Sequence, residues 1–290
     1  MLPLDNTKLI CYNMYTKSKK GVYIMFTLVN PQHFDLRAIM NSGQCFRIFE
    51  PEPNVFDVLS MDKWIRIYHD TISNRYTFDC LDNENLFWQS YFDLNFDYHP
   101  CFNIIYNSDD SFLKSAADYG YGMRILRQSY WETIVSFLIS QNNNIPRIKK
   151  SIEALCKKFG KPMTKYGVTY YSFPYKSDIA NIKLEDLSDL GLGYRDKYIY
   201  GVCKCPLSSL GPNKLLNIPG IGPKVESCIL LFGTHNLTQC PIDTWMKKIL
   251  HNVYNNHFDF TPYHGFEGYI QQLMFYYYRN NSWQYKINGV

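Results

Sequence analysis

Lys224 follows the turn Pro219-Gly220-Ile221-Gly222-Pro223, inside the stretch LNIPGIGPKVESCILLFG that covers 216–233. Asp243 stands at the head of the next helical pattern, CPIDTWMKKIL. An amine and a carboxylate held side by side suit attack on an anomeric sugar carbon. The amine supplies the electron pair, and the carboxylate offsets the positive charge that grows on the ring as the leaving group departs. Lys224 falls in the first turn of its helix, where the positive dipole end disfavours the ammonium and favours the neutral amine a nucleophile needs. The structural alternatives are a solvated or phosphate-contacting lysine and an aspartate that only caps its helix. The two readings part on whether the intervening helix and loop fold back to bring amine and carboxylate together.

The turn indicates what the amine faces. GPNKLLNI reads as a short helix and PKVESCILLF as a second, with Pro223 at its first position and Gly233 closing it. Between them Gly220 and Gly222 can take positive φ and leave their N–H groups exposed. Two helices joined in this way present unpaired donors and a positive helix end to one side. That is an anion site suited to a DNA phosphate, and it reads no bases.

The elements that position this hairpin fall in two parts with a boundary near residue 108. Upstream, VYIMFTLV, QCFRIF, VFDVLS, KWIRIYH and RYTFDC are short β-branched and aromatic runs separated by Pro, Asn, Asp and Gly, the pattern of an antiparallel sheet. From NENLFWQSYFDL onward the period becomes helical. Trp131, Ile134, Phe137 and Leu138 share one helix face, and IPRIKKSIEALCKKFG repeats the pattern with Pro146 in its first turn and Gly160 just beyond. GKPMTKYG then reads as loop, IANIKLEDLSDL as a short helical stretch, and helices are expected near 243–254 and 263–278, with a frayed tail. The fold class is therefore α+β: an N-terminal antiparallel β-sheet domain, 1–108, followed by a mostly α-helical domain, 109–290.

Composition agrees with a globular chain. The 290 residues are 46% hydrophobic and 17% aromatic, enough for a sizeable core, and the net charge of +4 leans weakly toward an acidic partner. Nine cysteines in no regular framework point to reduced thiols; Cys203 and Cys205 are too close for a zinc knuckle, and no cysteine follows Cys240 to build an iron–sulfur site. No secretory leader or apolar run of about 18 residues is present. The expectation is a protein that is not secreted and has no membrane partner, cytoplasmic in a prokaryote or nuclear in a eukaryote.

Five stretches in order resemble the helix-hairpin-helix DNA glycosylases, and within them the 8-oxoguanine DNA glycosylases: NSGQCFRI, LRQSYWETIVSFLISQNNNIPRI, GLGYRDKY, IPGIGPKVESC and CPIDTWM, joined by GYIQQLMFYYY. The resemblance implies a monomeric glycosylase/lyase on duplex DNA containing 8-oxoguanine, with two helical subdomains flanking the DNA cleft. Lys224 would form a Schiff base with C1′, with Asp243 as its electrostatic partner. Gly43 matches the glycine whose carbonyl accepts the N7–H that 8-oxoguanine has and guanine lacks. Gln271 would read the Watson–Crick edge of the extruded base, while Phe275 and Cys228 cover its two planes; core packing is the plain alternative for these. Asn142 would fill the gap in the duplex, Tyr194 wedge beside it, and Arg147 and Arg195 hydrogen-bond the estranged cytosine, or else merely contact phosphate. Gly220 and Gly222 would bind backbone. Trp245 stands where the animal pattern has a phosphate-contacting histidine, and Tyr278 where it has an acidic residue near the base. No metal is required for the chemistry, and hairpin carbonyls would hold a structural monovalent cation. The rival readings are a glycosylase for another damaged or mispaired base and a non-catalytic DNA-binding module.

Overall fold

The computed structural model describes residues 9–10, 16–18 and 21–282. Its sheet runs through β1 (Leu9–Ile10), β2 (Thr16–Ser18), β3 (Gly21–Val29), β4 (Ile48–Glu52), β5 (Val55–Ser60), β6 (Lys63–Asp70) and β7 (Arg75–Leu81). All pairings are antiparallel, in the order β1-β3-β7-β6-β5-β4 with β2 on β3. Asn54, Met61 and Asn74 take positive φ in the tight connections from β4 to β7, as short hairpins require. Alternation sends Phe56, Val58, Ile65, Ile67 and Phe78 to one face. There they form a core with Leu36 and Ile39 of α1 (Leu36–Asn41) and Trp88 of α2 (Asn85–Tyr91).

Four of the five strand-like runs stand where the sequence places them. QCFRIF does not, because β4 begins only at Ile48. The polar groups of Gln44 bond to the other domain: its side chain donates to Arg124 O and accepts from Leu126 N, each at 2.8 Å, and its carbonyl accepts from Gln128 Nε2 at 2.7 Å. Those bonds hold Gln44 out of the sheet.

The helical part comprises α3 (His99–Asn107), α4 (Ser111–Tyr119), α5 (Tyr130–Ser140), α6 (Ile145–Phe159), α7 (Asp196–Lys204), α8 (Pro223–Gly233), α9 (Thr244–Asn252) and α10 (Glu267–Asn281). A boundary at 108 falls at the end of α3, whose Cys101, Phe102 and Ile105 already pack in the helical core. α5 is its centre, with Ile134, Val135, Leu138 and Ile139 fully buried and Phe137 stacked on Phe232 of α8 at 5.3 Å between centroids. GKPMTKYG, expected as loop, lies mostly in a hairpin of β8 (Pro162–Lys165) and β9 (Val168–Tyr171), turned at Tyr166 and Gly167 with positive φ. Tyr170 anchors it to the sheet, stacking on Phe49 at 5.2 Å and meeting Trp64 edge-on at 4.8 Å. The expected helices IANIKLEDLSDL and GPNKLLNI are shorter 3-10 segments, Leu184–Leu190 and Pro212–Asn217. α10 continues past the expected end at 278 to Asn281, and the tail expected to fray falls on residues 283–290, outside the described residues.

Candidate active site

Lys224 and Asp243 line one cleft of about 980 Å³. The helix and loop between them do fold back. Pro223 opens α8, which puts Lys224 in its first turn, half-buried, with Nζ 5.7 Å from the centre of the Phe137 ring. Asp243 is the N-cap of α9: its Oδ1 accepts from Met246 N at 2.8 Å. The capping role is therefore real, and it is also what fixes the carboxylate on the cleft wall with its second oxygen uncommitted. Among the described residues no ion pair joins the two groups, although both line the cleft.

One turn beyond Lys224, Cys228 lines the same wall. Burial pushes its thiol up to about 11, against the opposing pull of Lys224 beside it. Cys228 is thus a neutral, apolar surface at ordinary pH, suited to lie against a base and not to compete as a nucleophile.

Gly43 brings the sheet domain into the cleft. α1 ends at Asn41, Ser42 closes it by donating both N–H and Oγ to Ile39 O, and Gly43 then turns at φ +80 before the anchored Gln44. Opposite stand Gln271, 2% exposed, and Phe275, one turn further along α10. A Cβ on Gly43 would sit 3.5 Å from Phe275 and 3.4 Å from Arg279. The left-handed φ, not lack of space, is what calls for glycine here.

Three helix N-termini converge on the cleft. Asn144 caps α6 by accepting from Arg147 N at 3.0 Å, Gly222 opens α8 without a capping side chain, and Asp243 opens α9; all three line the cavity. Their dipoles sum to a positive potential for an anionic backbone. Gly220 takes positive φ, +91, and a Cβ there would meet the Tyr198 ring at 2.5 Å. Gly222 does not: it is extended at φ −97, ψ 177 because it is already the cap residue.

The residues expected on the opposite strand separate in the structure. Asn142 is exposed at positive φ on the rim, Tyr194 is 50% exposed, and Arg147 is exposed in the first turn of α6. Arg195 is placed otherwise. It is 5% exposed, its guanidinium donating to Leu192 O at 3.0 Å, to Asn142 O at 2.7 Å and to Gln141 O through Nε at 2.7 Å. Here it holds the Asn142 turn from beneath instead of offering donors to a base. Trp245 lines the cleft with Lys248 Nζ 5.2 Å from its ring centre. Tyr278, expected near the base, is 3% exposed behind Trp245 and accepts from Asn252 Nδ2 at 3.0 Å, outside the cavity lining.

Arg279 and Gln272 are among the cleft residues that escaped the sequence reading. Arg279 lies over the Phe275 ring at 5.1 Å and donates to Asn41 O, tying α10 to the Gly43 turn; burial lowers its pKa. Its position four after Phe275 was a readable signal. Gln272 donates to Gln271 Oε1 at 2.8 Å, and nothing in the spacing announces it.

Comparison with known proteins places this geometry. Residues 27–134 match the 8-oxoguanine DNA glycosylase N-terminal domain, and residues 135–263 match the HhH-GPD superfamily of base excision DNA repair proteins. The N-glycosylase/DNA lyase of Saccharomyces cerevisiae is 33% identical over 177 residues, 52% of this chain and 46% of that protein. The chain spans about half the length of the curated relatives it matches. Among solved structures, MBOgg1 in complex with a low-affinity DNA ligand is 31% identical with a TM-score of 0.80, covering 92% of this chain and 99% of that one. The Clostridium acetobutylicum 8-oxoguanine glycosylase/lyase, in complex with double-stranded DNA containing cytosine opposite 8-oxoG, is 31% identical with a TM-score of 0.78, covering 93% and 99%. With both domain matches in sequence order and near-complete coverage of two such structures, the chain belongs to the 8-oxoguanine DNA glycosylase family of helix-hairpin-helix repair proteins.

Proposed function

We propose that this chain is a bifunctional DNA glycosylase/AP lyase that removes 8-oxoguanine from duplex DNA, preferentially opposite cytosine, and acts as a monomer in base excision repair. One observation carries the reading: the Lys224 amine, an uncommitted carboxylate oxygen and two surfaces suited to the planes of a flat base, Phe275 and Cys228, line the same cleft, at the convergence of three helix N-termini. A bare phosphate clamp needs the helix ends and the hairpin but no cavity of this size.

In the reaction, the neutral Lys224 amine attacks C1′ of an extruded nucleotide. The C1′–N9 bond breaks, its electron pair leaves with the base, and Asp243 offsets the positive charge that develops on the sugar. The nitrogen, now bonded to C1′, gives up one proton to the departing base anion; its lone pair then expels the ring oxygen O4′, which takes a proton from solvent, and the protonated imine results. The adjacent C2′ proton is then acidic, and its removal expels the 3′-phosphate by β-elimination. Gly43 O takes the N7–H of the lesion, while Phe275 and Cys228 hold the planes. Asn142 and Tyr194 occupy the gap, and Arg147 reads the cytosine left behind; Trp245 packs against the backbone in place of a histidine.

The reaction as written uses no metal, and any monovalent cation on the hairpin carbonyls is structural. The compartment follows the DNA, nuclear in a eukaryote and cytoplasmic in a prokaryote; among the described residues no helix is long and apolar enough to cross a membrane. Borohydride trapping tests the reading. The wild-type protein is expected to become covalently linked to 8-oxoguanine duplex, and Lys224→Gln to bind that duplex without linkage. A wild-type protein that binds and never links would be a clamp.

A further inference from the structure

Arg279 stands one turn beyond Phe275 on α10, so the two side chains share a helix face, and both line the cleft. The guanidinium carbon lies 5.1 Å from the centre of the Phe275 ring. One nitrogen, Nη2, crosses to the sheet domain and donates to Asn41 O, one of the end carbonyls of α1. The other, Nη1, lies 3.4 Å from where a Cβ on Gly43 would stand, and the Phe275 ring lies 3.5 Å from the same point. Ring, guanidinium and turn thus meet at one place in the cleft wall. Nη1 is buried and has no hydrogen-bond partner among the described residues, a cost that a hydrocarbon filling the same space would not carry. What a hydrocarbon could not do is hold Asn41 O while lying against an aromatic ring, and a planar fork does both.

We propose that Arg279 is a positioning residue that braces the Phe275 ring against the Gly43 turn and so fixes the seat into which the extruded base is received. Phe275 rides on α10, which packs in the helical core, while the Gly43 turn follows α1, which packs mainly in the sheet core. A bond from Arg279 to Asn41 O sets the separation of these two elements at the seat itself. In this role Arg279 touches no reacting atom. It acts on the seating of the base and not on the chemistry of Lys224 and Asp243. The inference rests on the cleft being a base pocket, as read above.

The experiment compares two rates on the same preparations of wild type, Arg279→Lys and Arg279→Leu. One is single-turnover excision from an 8-oxoguanine duplex. The other is borohydride trapping on the same duplex with an abasic site in place of the lesion, which offers C1′ to Lys224 with no base to seat. Their ratio cancels any fraction of misfolded protein. Lysine keeps the cation but not the fork, and leucine keeps neither. Both variants are expected to lose about tenfold or more in excision, the scale of a small displacement of a bound reactant, with abasic trapping at the wild-type rate. A wild-type ratio in either variant would overturn the inference and leave the functional reading intact: in lysine a charge alone would then suffice, and in leucine bulk alone. A wild-type protein that binds both duplexes, releases no base and never links would overturn the functional reading, and this inference with it.

Discussion

The Lys224 amine and the Asp243 carboxylate have different dependencies, and this makes their roles separable. Lys224 depends on its helix only for direction: Pro223 sets the first turn, and the side chain reaches the cleft over Phe137. Asp243 is bound into the fold through the Met246 amide. Replacing it by alanine would mix two losses, catalysis and a cap worth about 1 kcal/mol. Asparagine separates them, because it caps as well as aspartate but carries no charge. Asp243→Asn is therefore expected to melt within about 0.5 kcal/mol of wild type and to bind lesion duplex unchanged. Base release should fall about 100-fold or more, the scale of losing one preorganised charge at a transition state. Single-turnover excision beside thermal melting decides it, and unimpaired excision would remove the role assigned to the carboxylate.

At the scale of elements, the loop between α5 and α6 is the part whose organisation was hardest to foresee. Its asparagines look interchangeable in sequence, yet each does something different: Asn144 caps α6, Asn143 donates back to Ile139 O at 3.2 Å, and Asn142 takes the positive-φ turn. The turn stands because Arg195 fills the carbonyls of Gln141 and Asn142 from the far side of the chain. That contact was not legible, since it joins two segments with no shared period. Helical and hairpin patterns were legible where residues packed on one face decide the fold, as in α5, α6 and β5. The β8–β9 hairpin was not, because its strands are four residues each with no buried face, and the contacts that hold it, Tyr166 and Lys165 on Asp79 and Tyr170 on Phe49, reach across the sequence to the sheet. In the site, the spacing of Gln271 and Phe275 on α10 was readable, while the hydrogen bond from Gln272 to Gln271 exists only in three dimensions. Arg195→Met, which keeps the aliphatic packing, should strand several buried carbonyl oxygens and cost about 2–3 kcal/mol in urea unfolding. On the proposed reaction it should also weaken lesion binding more than undamaged-duplex binding, because the Asn142 turn would be needed only once a base has left the stack. Equal weakening of both would reduce Arg195 to a general structural role.

Taken whole, the molecule places its chemistry at the seam between two cores. The sheet core supplies the Gly43 turn, and the helical core supplies the amine, the carboxylate and α10. The seam is held by polar ties that each need both domains: Gln44 to the 124–128 segment, and buried Arg47 to Glu153 of α6 at 2.7 Å. With a net charge of only +4, attraction to DNA cannot come from the chain's overall field. It has to come from the local one, where helix N-termini and a few cations crowd the rim. Lys247 is such a cation, exposed in the first turn of α9 and lining the same cleft as Lys224 and Asp243. If it neutralises one phosphate, binding must lose about one released counterion when it is removed. Lys247→Ala is expected to flatten the slope of log affinity against log salt by about 1, equally for lesion and undamaged duplex. Excision from the bound complex should remain at the wild-type rate. Titrations of both duplexes between low and physiological salt measure it, and an unchanged slope would mean that the backbone passes elsewhere on the rim.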